Sequence, residues 1–358
     1  MHNSFLIGDK KVGLNYEPYY IADIGANHDG DLQRAYKLIE LVKECGGHAA
    51  KFQNFKASKI VSKYGFENLN TKMSHQANWK KSVFEIYEDA SINPDWTPLL
   101  KEKCNEVGLD YFSSPYDIES INLIDSFVDL YKIGSGDITW LEIIEYIASK
   151  NKPILLATGA SDLSDVTRAM DLLLSKNVPL CLMQCNTNYT LNSDKYKFVN
   201  LNVLDLYAKM YPNVVLGLSD HTIGFATTLG AIAKGARLIE KHFTDSNENE
   251  GPDHKFAMNP KSWSDMVKYG NELFYSLGDG IKRVEENEID SKIVQQRSLR
   301  INKDIMPGHV ILKDDIEVLR PKPFGSLEPY RIDEIINRKV NKEIKCGNII
   351  TLNDIEND

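Results

Sequence analysis

Between Tyr19 and about Thr244 the chain repeats one theme eight times: a short, apolar, β-branched run ending in polar or small residues, then a longer stretch whose apolar positions keep helical spacing. The short runs are Tyr20 to Ile24, Ala49 to Gln53, Asp110 to Ser114, Leu130 to Gly134, Pro153 to Thr158, Pro179 to Cys185, Val214 to Ser219 and Leu238 to Phe243. Helical segments include Leu32 to Glu44, Pro94 to Val107, Ile118 to Phe127, Trp140 to Ser149, Leu163 to Ser175 and Ala226 to Lys234. Strands joined by helical crossovers run parallel, because each helix carries the chain back to where the strand began. Eight such units predict an α/β chain closed into a (β/α)8 TIM barrel, with an open doubly wound sheet as the fallback. Either architecture places its chemistry beyond the carboxyl ends of the strands.

The flanks differ from this theme. FLIGDKKVGLN reads as a β-hairpin turning at Gly8-Asp9, able to plug the bottom of the barrel. A helix from about Ser262 to Leu277 leads into the charged stretch KRVEENEIDSKI, and a boundary fits near Ile293. Beyond it, KDIMPGHVILKDDIE from Lys303 and KEIKCGNIITLNDIE from Lys342 repeat at an offset of 39, which pairs Ile305 with Ile344, Gly308 with Gly347 and Asp315 with Asp354. The expected organisation is a hairpin over 1–18, a barrel over 19–280, a linker over 281–296 and a small pseudo-symmetric domain over 297–358.

Composition narrows the partners. With 42 basic against 51 acidic residues the net charge is −9, which disfavours general attraction to nucleic acid or anionic membrane, so a bound anion must be held by specific groups. No apolar run approaches the roughly 18 residues of a membrane span, and the N-terminus lacks a signal-peptide core, so a cytoplasmic protein is expected. Five cysteines scattered through the chain do not make a disulfide framework.

Strand side chains alternate between faces, and polar residues of shared parity accumulate at the strand ends. Lys51 and Gln53 share a face, as do Ser219 and His221, and Glu240 and His242, while Asp23 and Lys132 fall at comparable ends. Charged groups in apolar strands are costly to bury unless paired or functional. Glu240 paired with a lysine as interior filling is the plain reading of one such residue; for the set together a site is favoured. His221 and His242 close consecutive strands, so their imidazoles could share a divalent cation such as Mn²⁺, or each could simply bond a neighbour. Small residues in Gly134-Ser135-Gly136-Asp137 and Ala157-Thr158-Gly159-Ala160 let backbone N–H groups approach an anion, although most such turns bind nothing. Of the other histidines, only His28 and His254 lie in motifs; His48, His75 and His309 have no claim beyond core or surface.

The strings IADIGANHDGDLQRA, Lys51-Phe52-Gln53, YKIGSGD, GLSDHTIG, EKHFTD and EGPDHKFAMNP, in this order over nearly the whole chain, resemble the sialic acid (N-acetylneuraminate) synthase family. The repeated tail is similar to that family's antifreeze-like (SAF, β-clip type) domain. The resemblance implies a barrel that condenses phosphoenolpyruvate (PEP) with an N-acylated amino sugar, needs a divalent metal, and works as a homodimer with the SAF domain swapped over the partner's barrel. It implies His221 and His242 as metal ligands, with Mn²⁺ favoured and Mg²⁺ or Co²⁺ also admissible. It sets Lys51, Ser114, Lys132, Ser135, Thr158, Thr187 and Ser219 around PEP. Gln53, Asp137, Tyr189 and Asp253 would face the sugar, Tyr116 would join the substrate site, and Arg320 would reach the partner's site. Asp23, with Asp137 as the other candidate, would handle protons.

Three departures bear on the acceptor. Asp23 and Asp137 stand where the family pattern has glutamates, each retracting its carboxylate by about 1–1.5 Å. QCNTNYT, Gln184 to Thr190, lacks the proline that commonly follows the tyrosine. An acceptor other than plain N-acetylmannosamine, such as a precursor of legionaminic or pseudaminic acid, is one consequence; water filling the gap beside an ordinary substrate is the other. Two further readings are a 3-deoxy-octulosonate-type synthase, which the tail disfavours, and a non-catalytic carbohydrate- or ice-binding module, which leaves Lys51, Lys132, His221 and His242 unexplained.

Overall fold

A computed structural model describes residues 4–69, 81–189 and 193–356. His75 and Thr190 lie outside the described residues. The chain divides into two compact units, Met1–Gly278 and Asp279–Asp358.

The first unit opens with strands β1 (Ser4–Ile7) and β2 (Lys10–Gly13), paired antiparallel with Ile7 opposite Lys10 across the expected turn. Eight parallel strands follow: β3 (Tyr19–Asp23), β4 (Ala49–Asn54), β5 (Asp110–Pro115), β6 (Tyr131–Ile133), β7 (Ile154–Ala157), β8 (Leu180–Cys185), β9 (Val215–Asp220) and β10 (Ala236–His242). Each pairs with its sequence neighbour and β10 returns to β3, while β5 and β6 lie side by side at the remaining seam. The expected (β/α)8 barrel is therefore present. Its hairpin sits at the strands' starting ends: Arg237 Nε, near the beginning of β10, donates to the Leu14 carbonyl at 2.8 Å, and Phe5, Ile7 and Val12 are buried in the barrel's core.

Helices α1 (Leu32–Glu44), α2 (Ala57–Ile60), α3 (Lys63–Glu67), α4 (Val83–Ala90), α5 (Trp96–Val107), α6 (Ile118–Ile124), α7 (Leu141–Ala148), α8 (Leu163–Ser175), α9 (Val203–Met210), α10 (Ala226–Ala233) and α11 (Pro260–Ser276) complete the unit. In α1 the Asp31 carboxylate caps the amides of Gln33 and Arg34, and Ala35, Leu38, Ile39 and Val42 form one buried stripe. In α8 Asp162 and Asp165 form a capping box above Val166, Ala169, Met170 and Leu173, which repeat the same spacing. Both helices coincide with the sequence expectation. The expected helix Ile118 to Phe127 is instead α6 plus a tighter 3₁₀ turn, Asp125–Phe127, where Asp125 accepts from Tyr131 Oη at 2.8 Å and Lys152 Nζ at 2.8 Å. Among the described residues no helix is long and apolar enough to cross a membrane.

The second unit shows the repeat as geometry. It contains α12 (Ile289–Gln295) and an antiparallel pair, β11 (Ser298–Ile301) with β12 (Ile316–Leu319), around a core of Leu299, Ile301, Ile305, Ile311, Ile335, Val340, Ile344 and Ile350. Ile305 and Ile344, equivalent in the two halves, exchange both backbone hydrogen bonds at 3.0 Å. Asp315 takes Lys303 and the Leu312 amide, and Asp354 takes Lys342 and the Thr351 amide, so each half buries one carboxylate with an equivalent lysine and backbone amide, to which His309 adds a bond in the first half and the Thr351 hydroxyl in the second.

Candidate active site

A cavity of about 500 Å³ opens at the carboxyl ends of the barrel strands. Fourteen residues expected in the site line it: Asp23, Lys51, Gln53, Ser114, Tyr116, Lys132, Ser135, Asp137, Thr187, Tyr189, Ser219, His221, His242 and Asp253. Strand register brings them together. Asp23 stands opposite both Lys51 on β4 and His242 on β10, and Gln53 opposite Ser114 on β5.

Two buried ion pairs form the floor. Lys51 Nζ lies 2.7 Å from Asp23 Oδ2, to which Gln53 Nε2 also donates at 3.1 Å, while the Gly25 amide donates to Asp23 Oδ1 at 3.0 Å. Lys132 Nζ and Ser219 Oγ each donate to Glu240 Oε1 at 3.1 Å. Burial opposes the charge on Asp23, but Lys51 and then His242 outweigh it and hold the carboxyl at about 2. Glu240 is likewise held below the usual range, burial being outweighed by Lys132 and Lys51. Both carboxylates stay ionised at neutral pH. Asp137 is the opposite case: burial pushes it up to about 6, with Lys132 only partly opposing.

The imidazoles of His221 and His242 stand 5.5 Å apart, centroid to centroid. His221 Nδ1 lies 3.1 Å from the Asn186 carbonyl, an arrangement that places the ring proton on Nδ1 and leaves Nε2 as the lone-pair nitrogen. His242 has Asp23 Oδ2 at 3.6 Å from Nε2 and Asp253 Oδ2 at 3.5 Å from Nδ1, and burial lowers its pKa. Asp253 in turn accepts from the Ala26 amide at 3.2 Å. This crowding requires glycine at position 25: φ is +51°, and a Cβ there would lie 2.8 Å from Asp253 Oδ2 and 3.2 Å from the His242 ring. Among the described residues, His242 Nδ1, Glu240 Oε2 and Ser114 Oγ are buried without a hydrogen-bond partner.

Two expected residues are not brought to this cavity. Thr158 is buried beneath it, donating to the Met183 carbonyl at 3.1 Å and accepting from Tyr207 Oη at 3.1 Å. Arg320 belongs to the second unit, just after β12. Of the two small-residue turns, 134–137 lines the cavity, whereas the Gly159 amide is used by Ser135 Oγ at 2.9 Å. Gly159 also tolerates no side chain, since a Cβ would fall 1.9 Å from Thr187 Oγ1. His28 and His254 are structural: His28 Nδ1 accepts from the Gly30 amide, and His254 bridges Asp29 and Thr244.

Sequence reasoning missed part of the lining. Glu240 was legible as a lysine partner and as one of the polar set at the strand ends but was given no role in the site, and Phe55, Ile60, Ile86, Tyr87, Ala90 and Pro252 carried no signal beyond ordinary apolar spacing.

Comparison with known proteins agrees with this geometry. Residues 38–282 match the NeuB family model, and 296–356 match the SAF domain. An N,N'-diacetyllegionaminic acid synthase of Legionella pneumophila is 31% identical over 363 residues, covering 99% of each chain. A pseudaminic acid synthase of Campylobacter jejuni is 30% identical over 352 residues, 97% of this chain and 98% of that one. The crystal structure of an N-acetylneuraminic acid (sialic acid) synthetase from Leptospira borgpetersenii superposes with a TM-score of 0.71 at 26% identity, covering 81% of this chain and 95% of that chain.

Proposed function

Since the chain belongs to the NeuB family, whose members here include sialic, legionaminic and pseudaminic acid synthases, we propose that it is a cytoplasmic, PEP-dependent nonulosonic acid synthase, a transferase of the EC 2.5.1 type. It condenses PEP with an unphosphorylated N-acyl amino hexose, either N-acetylmannosamine or a 2,4-diacetamido-trideoxy hexose, and releases phosphate. The observation that carries this reading is the convergence of two lysine–carboxylate pairs and two imidazoles on one cavity at the barrel mouth.

The residue chemistry supports it. Lys51 and Lys132 hold the PEP phosphate and carboxylate, with Ser114, Ser135, Thr187 and Ser219 as hydroxyl donors. The methylene carbon of PEP bonds to the aldehyde carbon of the open-chain sugar. Water adds to the resulting cationic enol carbon, and the tetrahedral hemiketal phosphate collapses with cleavage of the C–O bond to phosphate. Asp23, ionised throughout, keeps Lys51 protonated and aimed, while Asp137, held at about 6, exchanges protons near neutral pH. Gln53, Tyr116, Tyr189 and Asp253 orient the sugar.

The histidines fit a divalent cation, Mn²⁺ before Mg²⁺ or Co²⁺. His242 Nδ1 is buried without a hydrogen-bond partner among the described residues, and Asn186 fixes His221 with Nε2 as its lone-pair nitrogen. Among the described residues no group of three or more His, Cys, Asp and Glu is arranged to hold a metal, so the remaining ligands would be water or substrate oxygens. Bound there, the cation would polarise the sugar's aldehyde oxygen. The proposal includes a homodimer in which the SAF domain, with Arg320, serves the partner's barrel; truncation before Ile293 tests it, since full activity of the isolated barrel rejects that arrangement. The decisive experiment for the whole reading is acceptor-dependent phosphate release from PEP, with and without a chelator, over N-acetylmannosamine, its 6-phosphate, 2,4-diacetamido-trideoxy hexoses and arabinose 5-phosphate. Chelator-sensitive turnover on an unphosphorylated amino sugar sustains it; turnover only on phosphorylated acceptors rejects it.

A further inference from the structure

One part of the cavity lining has no role in the chemistry above. The segment between β4 and α5 contributes Phe55, then Ile60 from α2, then Ile86, Tyr87 and Ala90 from α4. Ile86 and Ala90 are one turn apart and Tyr87 is their neighbour, so one stripe of α4 faces the cavity. No residue of α4 is fully buried, so this stripe is not explained by the barrel core. The helix starts at a Ser82–Glu85 capping box, and an exposed ion pair of 2.5 Å joins Lys81 to Asp89. Tyr87 packs against Phe55 with the rings tilted by 55°, centroids 5.6 Å apart, and Phe55 meets Tyr116 edge-on at 5.8 Å. The result is an apolar wall on a cavity whose floor is charged.

Of these five side chains only Tyr87 carries a polar atom. A sugar hydroxyl turned toward such a wall gives up hydrogen bonds to water and finds few replacements, whereas a methyl group placed there leaves water favourably. Lys51 and Lys132 both lie on the floor, where the reading above assigns them to PEP, and Phe55, Ile60, Ile86, Tyr87 and Ala90 carry no cation, so nothing on the wall would neutralise a second phosphate. We propose that Phe55, Ile60, Ile86, Tyr87 and Ala90 select the acceptor: they take an amino hexose whose far end carries methyl groups, a C6 methyl in place of the hydroxymethyl together with a second acetamido group, over fully hydroxylated or 6-phosphorylated sugars. This inference rests on the synthase reading and names its substrate class.

The test is kcat/KM for phosphate release from saturating PEP with Mn²⁺, using N-acetylmannosamine, its 6-deoxy analogue, 2,4-diacetamido-2,4,6-trideoxymannose and N-acetylmannosamine 6-phosphate. The trideoxy acceptor should exceed N-acetylmannosamine by about 10- to 200-fold, the span one apolar group commands in a fitted pocket, and the 6-deoxy analogue should fall between them. Ile86→Ser and Ile60→Ser should each shrink that ratio several-fold. A ratio measured on one preparation is independent of how much of it is folded, and the wild-type ranking decides the question if neither variant folds. N-acetylmannosamine or its phosphate ranking first, or a ratio indifferent to both substitutions, overturns the wall as selector and leaves the synthase standing. Absence of phosphate release with every acceptor overturns both.

Discussion

The barrel buries lysine–carboxylate pairs on both faces of its sheet, with β10 contributing to each, and the two faces treat them differently. On the outer face Lys241 bonds Asp220, and the fold completes the surroundings: Lys241 Nζ also donates to the Thr222 carbonyl at 2.8 Å, while Asp220 accepts from the Thr222 amide at 3.0 Å and from Thr227 Oγ1 at 2.6 Å. On the inner face Lys51–Asp23 and Lys132–Glu240 have the same chemistry one parity step away, yet Glu240 Oε2, Ser114 Oγ and His242 Nδ1 beside them lack partners among the described residues. A buried pair whose every polar atom is answered by the fold fixes a loop. A pair left partly unanswered at the mouth of a barrel is equipped to receive a ligand.

The contrast can be broken at four points. Lys241→Met strands the Asp220 carboxylate and should cost about 3–5 kcal/mol in denaturant unfolding, much of it regained in the Lys241→Met/Asp220→Leu double variant. Lys132→Met should instead lower kcat by about 10²- to 10³-fold, because it removes a charge that the proposed reading assigns to the reacting phosphate; a variant that loses stability but retains turnover would make the inner pair no different from the outer. For Asp137, the acid form is favoured in the folded state, so its contribution to stability is complete below the ordinary carboxylate pKa and is lost as pH rises through about 6. Its ionised form should set an acidic limb near pH 6 in kcat/KM, and Asp137→Asn should abolish that limb along with most activity. Smallest of all, Ser114→Ala removes one unanswered hydroxyl and should raise the KM for PEP by roughly 3- to 10-fold with little change in melting temperature.

Legibility in the sequence followed the same division. The barrel was readable because strands buried on both faces are continuous apolar runs and because α1 and α8 bury residues at helical spacing behind capping aspartates. The floor of the site was readable because a charge inside an apolar strand is conspicuous, and parity grouped Lys51 with Gln53 and Glu240 with His242; the strand register then sets Asp23 opposite both Lys51 and His242. The wall was not: α2 has four residues, and the apolar stripe of α4 serves a cavity rather than a core, a distinction no periodicity records. Thr158 lies off the cavity lining for another reason, since its hydroxyl is used by the Met183 carbonyl and Tyr207, and backbone bonding of that kind leaves no trace in residue type. Asp220 and Lys241 sat in plain view beside the histidines on the opposite parity, where their function is to hold the loop after β9.

The hairpin of β1 and β2 sits at the starting ends of the strands with Phe5, Ile7 and Val12 built into the core, opposite the end at which the cavity is lined. A vessel with one doorway behaves as a stack: what rests on the floor must arrive first, and what lies nearest the opening leaves first. With the two proposed substrates in layers, PEP over the lysines and the sugar along the wall above, traffic would become a matter of sequence in time. The amino sugar would act as a stopper that commits the molecule beneath it, and an excess of stopper would slow the enzyme by arriving too soon.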